Sequence, residues 1–128
     1  MIVDSSAVVA ILLQEPDHER LLDALLSDGS PGMSAATLLE TSIVLAARLR
    51  RDPHVLLTQF VHDAGIRVIA FDEAHSAAAL DAFLRYGKGR HPASLNFGDC
   101  ISYATAALAG QPLLYVGEDF AHTDLSGG

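Results

Sequence analysis

Short apolar segments alternate with longer amphipathic ones along this chain. The short segments predict β-strands at residues 1–3, 33–34, 67–71 and 113–116. Between them, apolar residues recur every three or four positions, which predicts helices at about 5–14, 17–28, 35–51, 53–65, 72–86 and 96–110. Buried strands that alternate with helices are typical of a parallel sheet covered on both faces. The pattern therefore predicts an α/β fold, a three-layer α/β/α sandwich around a parallel sheet, and leaves the strand order open.

Length and composition indicate a single domain over residues 1–128, with a frayed tail at 125–128. The chain has 128 residues and 50% of them are hydrophobic, which is enough for a core without disulfides. Its single cysteine, Cys100, is compatible with a reducing cytosol. The longest apolar run, 7–13, is too short to cross a membrane, and no basic segment precedes it as in a signal peptide. We therefore expect a cytoplasmic protein with no membrane contact.

The net charge argues against binding to nucleic acid through bulk positive charge. Sixteen acidic residues outnumber eight basic ones, for a net charge of −8. Acidic residues can nevertheless approach a phosphate through a bound metal ion. The positions of the acids along the chain are therefore more informative than their number.

Two acids follow predicted strands. Asp4 comes directly after the first strand, and Asp119 follows the last one. Because ligands of open α/β sheets bind beyond the carboxyl ends of the strands, both carboxylates are expected at that edge of the sheet. Each also has an ordinary structural alternative: Asp4 could cap the first helix, and Asp119 could be a turn residue after Gly117.

Two further acids occur near the starts of helices that are otherwise largely apolar. Glu40 lies on the apolar face of the predicted helix 35–51, and glutamate is rarely buried unless it is paired or coordinates an ion. A capping box formed with Thr37 is the structural alternative. Asp99 is the single acid of the predicted helix 96–110, where an acid in the first turn also suits the helix dipole.

The ends of parallel strands and the starts of the helices that follow them share one edge of a sheet, so these four acids are expected to converge. Carboxylates held close together repel each other, so at least one of them should have a raised pKa. Oxygen ligands without Cys or His partners favour Mg²⁺, or Mn²⁺ as a substitute, over zinc. Asp124, near the C-terminus, is predicted to be a solvated acid.

Motifs along essentially the whole chain resemble those of PIN-domain ribonucleases. The resemblance rests on MIVDSS at 1–6, Glu40 on a helix, NFGDC at 96–100 and GEDF at 117–120. More narrowly, the chain resembles the VapC-like toxin of a type II (VapBC) toxin–antitoxin system. This resemblance implies a Mg²⁺-dependent RNA endonuclease that is inhibited by a cognate VapB-like antitoxin and is usually a homodimer.

The resemblance also assigns roles to individual residues. Asp4 and Asp99 match the principal metal ligands of the family. Glu40 matches its helix acid, and Asp119 matches the acid of its C-terminal Gly-x-Asp-Phe pattern. Ser6 matches a small polar position that supports the first aspartate. The expected catalytic residues are therefore Asp4, Glu40, Asp99 and Asp119, and the expected metal ligands are Asp4 and Asp99.

Other functions are compatible with parts of the sequence. A metal-independent ribonuclease would use a pair of histidines as acid and base, whereas the six histidines are scattered along the chain. A phosphoacceptor receiver domain would need a lysine beside the acids, and Lys88 is poorly placed for that role. A non-catalytic PIN-like interaction module would not need four acids. The sequence is equally compatible with one or two metal ions and with tRNA, rRNA or mRNA as substrate.

Overall fold

The computed structural model describes residues 1–125 of the chain, which form four parallel β-strands and six α-helices. The strands are β1 (Ile2–Val3), β2 (Gly32–Ser34), β3 (Arg67–Ile69) and β4 (Leu113–Leu114). The helices are α1 (Ser5–Leu12), α2 (His18–Ser27), α3 (Ala35–Leu49), α4 (His54–Asp63), α5 (Glu73–Tyr86) and α6 (Phe97–Ala109). A 3₁₀ helix at Phe120–His122, which the sequence pattern did not predict, follows β4.

The strands form one sheet in the order β3-β2-β1-β4. Ile2 in β1 pairs with Gly32 on one side and with Leu113 on the other. The chain therefore adds strands outward from β1 to β3 and then returns to the opposite side of β1. In open α/β sheets, such a reversal of strand order creates a crevice at the carboxyl ends of the strands, where ligands bind. Here that crevice lies between β1 and β4.

Successive residues of the two central strands pack on opposite faces of the sheet, as the pleat of a strand requires. Val3 and Leu114 pack in a core with apolar side chains of α1, α2, α3 and α4. Ile2 and Leu113 pack in a second core with α5, α6 and the buried Phe120. Helices thus cover both faces of the parallel sheet, which confirms the predicted α/β/α sandwich.

All predicted strands and helices are present, and several are shorter than predicted. β4 ends at Leu114 rather than at 116, because the amide of Val116 donates a hydrogen bond to Ser6 Oγ at 3.0 Å instead of to another strand. α3 ends at Leu49, and Arg50 then takes a left-handed φ of 53°. Within residues 1–125, no helix is long and apolar enough to cross a membrane.

Most of the predicted frayed tail, residues 126–128, lies outside the described part of the chain. Of that tail, the structure describes only Leu125. Its amide donates a hydrogen bond to Thr123 Oγ1 at 3.1 Å, and its side chain packs against the core on the α5–α6 side of the sheet. The described part of the chain therefore ends in contact with the core.

Candidate active site

Asp4 lies at the carboxyl end of β1 and is buried, with 3% of its surface exposed. It is the N-cap of α1, since its Oδ2 accepts a hydrogen bond from the amide of Ser6 at 3.1 Å. The Ser6 hydroxyl also donates to Oδ2 at 2.6 Å, and the Ser102 hydroxyl donates to Oδ1 at 2.5 Å. Because a carboxylate has about four acceptor positions, these three donors leave Oδ1 with capacity for one more partner. The capping role and a role in a site are therefore compatible.

Glu40 on α3 packs its carboxylate against the backbone of Gly98 on α6. A Cβ atom at position 98 would come within 2.0 Å of Glu40 Oε2, so a glycine is needed there to leave room for the carboxylate. α3 is capped by Ser34, whose Oγ accepts a hydrogen bond from the amide of Ala36 at 3.1 Å. The capping box considered for Thr37 and Glu40 is therefore wrong, because the helix already begins before Thr37.

The pKa of Glu40 is raised. Burial is the largest cause, a hydrogen bond with the side chain of Ser5 partly offsets it, and the negative charge of Asp4 adds to the rise. Glu40 and Asp4 are therefore near enough to interact electrostatically, although they belong to different secondary structure elements.

Asp99 lies in the first turn of α6 and forms a capping box with Asn96. Asp99 Oδ2 accepts a hydrogen bond from the amide of Asn96 at 3.1 Å, and Asn96 Oδ1 accepts one from the amide of Asp99 at 2.9 Å. Burial nevertheless raises the pKa of Asp99 to about 7, helped by a hydrogen bond with Asp119 and by the charges of Asp4 and Asp119. The direction of this shift agrees with the raised pKa expected for one of the clustered acids, and burial is its largest cause.

Each of the four acids has at least one other acid as a neighbour, but the four do not surround a common point. Asp4 interacts with Glu40 and Asp99, and Asp99 interacts with Asp119, which is exposed at the start of the 3₁₀ helix. Among residues 1–125, no three His, Cys, Asp or Glu side chains lie close enough together to hold a metal ion as they are placed. Neighbouring carboxylates repel one another, which opposes their closer approach.

Asp124 lies outside this group of acids. Its side chain is exposed, as predicted, but Oδ1 also accepts a hydrogen bond of 2.5 Å from the hydroxyl of Tyr103, which is buried on α6. Asp124 therefore attaches the C-terminal segment to α6, a contact that the sequence pattern did not predict.

Besides Ser5, three residues that contact the acids directly or through another hydroxyl were not predicted as site residues from the sequence. Gly98 makes room for Glu40, Ser102 donates to Asp4, and Thr37 contacts Ser102. Ser102 follows Asp99 by three residues and Thr37 precedes Glu40 by three, a spacing that places two side chains on the same face of a helix. A search for hydroxyl residues one turn away from each acid could therefore have found the latter two.

Four of the six histidine rings contact groups other than histidine. The ring of His18 contacts the carbonyl of Glu15, and the rings of His62 and His75 contact neighbouring aspartates. His91 Nδ1 accepts a hydrogen bond from a backbone amide of its own loop. These contacts give no support to a ribonuclease that uses a pair of histidines.

Comparison with known proteins identifies the family. The PIN domain family matches residues 1–125. The VapC ribonuclease Mb2004c of Mycobacterium bovis is 52% identical over 126 residues, which are 98% of this chain and 91% of that protein. The chain is a PIN domain of the VapC ribonuclease family. Ribonuclease VapC of Mycolicibacterium smegmatis is 47% identical to it over 98% of each chain.

Two solved structures show that this PIN domain has the same fold as more distant proteins. The Mycobacterium tuberculosis toxin VapC20, which cleaves the Sarcin-Ricin loop, superposes with a TM-score of 0.74 at 20% identity. That match covers 94% of this chain and 92% of VapC20. A chain of a toxin–antitoxin complex from Klebsiella pneumoniae superposes with a TM-score of 0.71 at 17% identity, over 96% of this PIN domain and 92% of that chain.

Proposed function

We propose that this protein is a Mg²⁺-dependent RNA endonuclease, in which Mn²⁺ can replace Mg²⁺, and that it is the toxin of a toxin–antitoxin pair. The observation that carries the proposal is the placement of four acids, Asp4, Glu40, Asp99 and Asp119, as neighbours near the crevice between β1 and β4. Membership of the VapC ribonuclease family supports the activity and the choice of substrate. The solved structures with this fold, a toxin and a chain of a toxin–antitoxin complex, support the biological role.

Asp4 and Asp99 would hold the metal ion. Asp4 Oδ1 has capacity for one more partner, and a cation beside Asp99 would favour the ionised form of a carboxyl whose pKa is about 7. An all-oxygen set of ligands is also the set that Mg²⁺ and Mn²⁺ prefer. When bound, the ion would lower the pKa of a water molecule and neutralise charge on the phosphodiester.

The other two acids would complete the chemistry. Glu40 has a raised pKa and lies against Gly98, at the start of the helix that carries Asp99, so it is placed to accept a proton from the attacking water. Asp119 lies beside Asp99 and would add its negative charge to the site, which favours the binding of a cation. Attack by water on phosphorus, without the 2′-hydroxyl, would break the bond to the 3′-oxygen, which leaves with a proton, and would give a 5′-phosphate and a 3′-hydroxyl.

The loop between α5 and α6 would bind the RNA backbone. Lys88 and Arg90 are exposed on this loop, which leads directly into Asn96 at the start of α6. Positive charge beside an acidic centre can hold the phosphates on either side of the cleaved bond, even in a chain with a net charge of −8.

We also propose two protein partners and a location. A basic, amphipathic segment of a VapB-like antitoxin would lie along an apolar groove and place a positively charged side chain among the acids. A homodimer would bury four apolar side chains that are each more than half exposed, namely Leu39, Ile43, Leu80 and Phe97. Both partners, and RNA as substrate, are consistent with a cytoplasmic protein.

The decisive experiment measures cleavage of total cellular RNA by the purified protein and maps the new ends. We expect cleavage with Mg²⁺ or Mn²⁺, none with EDTA, and 5′-phosphate ends. Asp4→Asn and Asp99→Asn should each abolish cleavage, because each removes a metal-binding charge and changes little volume. Asp23→Asn, at an exposed position of α2, is the matched control and should cleave like the wild type. Full activity in EDTA, or 2′,3′-cyclic phosphate ends, would refute the metal-dependent mechanism.

A further inference from the structure

Two buried hydroxyls connect Asp4 to the helices that carry the other acids. Ser102 on α6 donates to Asp4 Oδ1, and Thr37 Oγ1 on α3 lies 3.3 Å from Ser102 Oγ. Both residues are 1% exposed. The proposed chemistry uses neither residue directly, so these contacts require another explanation.

The direction of these hydrogen bonds follows from counting protons. An ionised carboxylate only accepts, so the Ser102 hydroxyl gives its one proton to Asp4 and can only accept from Thr37. On the other oxygen of Asp4, the Ser6 hydroxyl donates to Oδ2 and in turn accepts from the amide of Val116. Each oxygen of Asp4 is thus the end of a two-step series of donors, one of which begins at Thr37 on α3 and the other at Val116 after β4.

The same hydroxyls set the relative positions of the acids. Thr37 lies three residues before Glu40 on α3, and Ser102 lies three residues after Asp99 on α6, so each hydroxyl is about one turn from the acid of its own helix. The contact between Thr37 and Ser102 therefore fixes the positions of α3 and α6 relative to each other, so that the acids of both helices lie beside Asp4. The close fit of Glu40 against Gly98 joins the same two helices on the side of the acids.

We propose that Thr37 and Ser102 are positioning residues for the divalent metal site. They orient the Asp4 carboxylate so that Oδ1 keeps one free acceptor position, and they maintain the spacing of Glu40 and Asp99 around it. The inference rests on the proposed function, because it concerns the same site. Removing a hydrogen-bond partner of a metal-ligating side chain typically weakens metal affinity by about 10–100-fold.

The test is a calorimetric titration of Mn²⁺ into the full chain, without RNA, at pH 7.5. Ser102→Ala should weaken Mn²⁺ binding by about 10-fold, and Thr37→Val, which keeps the side-chain shape, should weaken it to a smaller extent. Thr37→Ser retains the hydroxyl and should bind Mn²⁺ like the wild type. Melting curves without metal report the folding of each variant separately.

Thr105 provides the matched control. It is also buried on α6, but its hydroxyl donates at 2.8 Å to the carbonyl of Ile101 in its own helix. Thr105→Val therefore removes a buried hydroxyl without affecting the acids, and Mn²⁺ affinity should be unchanged.

Unchanged Mn²⁺ affinity in Ser102→Ala, or an equal loss in Thr105→Val, would overturn the positioning role. If Ser102→Ala does not fold, the test compares the Mn²⁺ affinities of Thr37→Val and Thr37→Ser, and equal affinities overturn the inference. A wild-type chain that binds no Mn²⁺ would instead refute the proposed function, together with this inference.

Discussion

Replacing Asp99 by asparagine should stabilise the metal-free protein at neutral pH. Burial, the hydrogen bond with Asp119 and the charge of Asp4 raise the pKa of Asp99 from 3.8 to about 7. Below the lower value, the carboxyl is protonated in both the folded and the unfolded chain, and its contribution to stability is intact. Between the two values, the unfolded chain ionises while the folded chain does not, so stability falls as the pH rises and levels off above about 7.

The size of the effect follows from this pKa shift. A shift of about three pKa units would correspond to about 4 kcal/mol, at ~1.36 kcal/mol per unit. Because Asp99 is only partly buried, solvent screens its charge, and we reduce the expected gain to about 1–2 kcal/mol. For a domain of this size, that is a rise of about 4–8 °C in melting temperature, at ~4 °C per kcal/mol. Asparagine can still accept the hydrogen bond from Asn96 and so preserves the cap.

The assay is a series of melting curves from pH 4 to pH 8 in EDTA, on the wild type, Asp99→Asn and the control Asp23→Asn. The wild type and the control should lose stability relative to Asp99→Asn as the pH rises from about 4 to about 7. With Mn²⁺ at ~100 times its dissociation constant, the wild type should gain about 2.7 kcal/mol, whereas Asp99→Asn should gain much less. The order of the two melting temperatures should therefore reverse.

Two results would refute this reasoning. In the first, Asp99→Asn is no more stable than the wild type in EDTA at pH 7.5. In the second, the two proteins have the same dependence of stability on pH. Either result would mean that the Asp99 carboxyl is not held in its neutral form by burial and by the neighbouring acids.

Two further substitutions test single contacts. Gly98→Ala should displace the flexible Glu40 carboxylate and lower the cleavage rate by about 10-fold or more. It should cause no loss of thermal stability, because alanine favours a helix. Gly29→Ala is the control, since a Cβ at that position meets no atom within 4 Å. Asp124→Asn should cleave RNA like the wild type but lose about 1 kcal/mol in urea unfolding, because it weakens the hydrogen bond from Tyr103.

Local features of the sequence determined the layers of the fold and the position of three acids. The alternation of short apolar strands with amphipathic helices is a property of neighbouring residues, so it predicted the parallel sheet and all six helices within residues 1–125. Asp4 and Asp119 follow strands, and Asp99 begins a helix that follows a loop. Because parallel strands end at the same edge of the sheet, these positions predicted that the three side chains would be neighbours, together with Glu40 on the helix that follows β2.

Contacts between distant parts of the chain decided the rest. The strand order depends on which helices pack on which face, and the cap of α3 depends on where β2 ends. Ser102 donates to Asp4 across 98 residues of sequence, and Thr37 contacts Ser102 across 65. The raised pKa values of Asp99 and Glu40 arise mainly from burial, which exists only once these helices pack together. The sequence therefore determined which groups could form the site, and tertiary packing decided their protonation and their hydrogen-bonding partners.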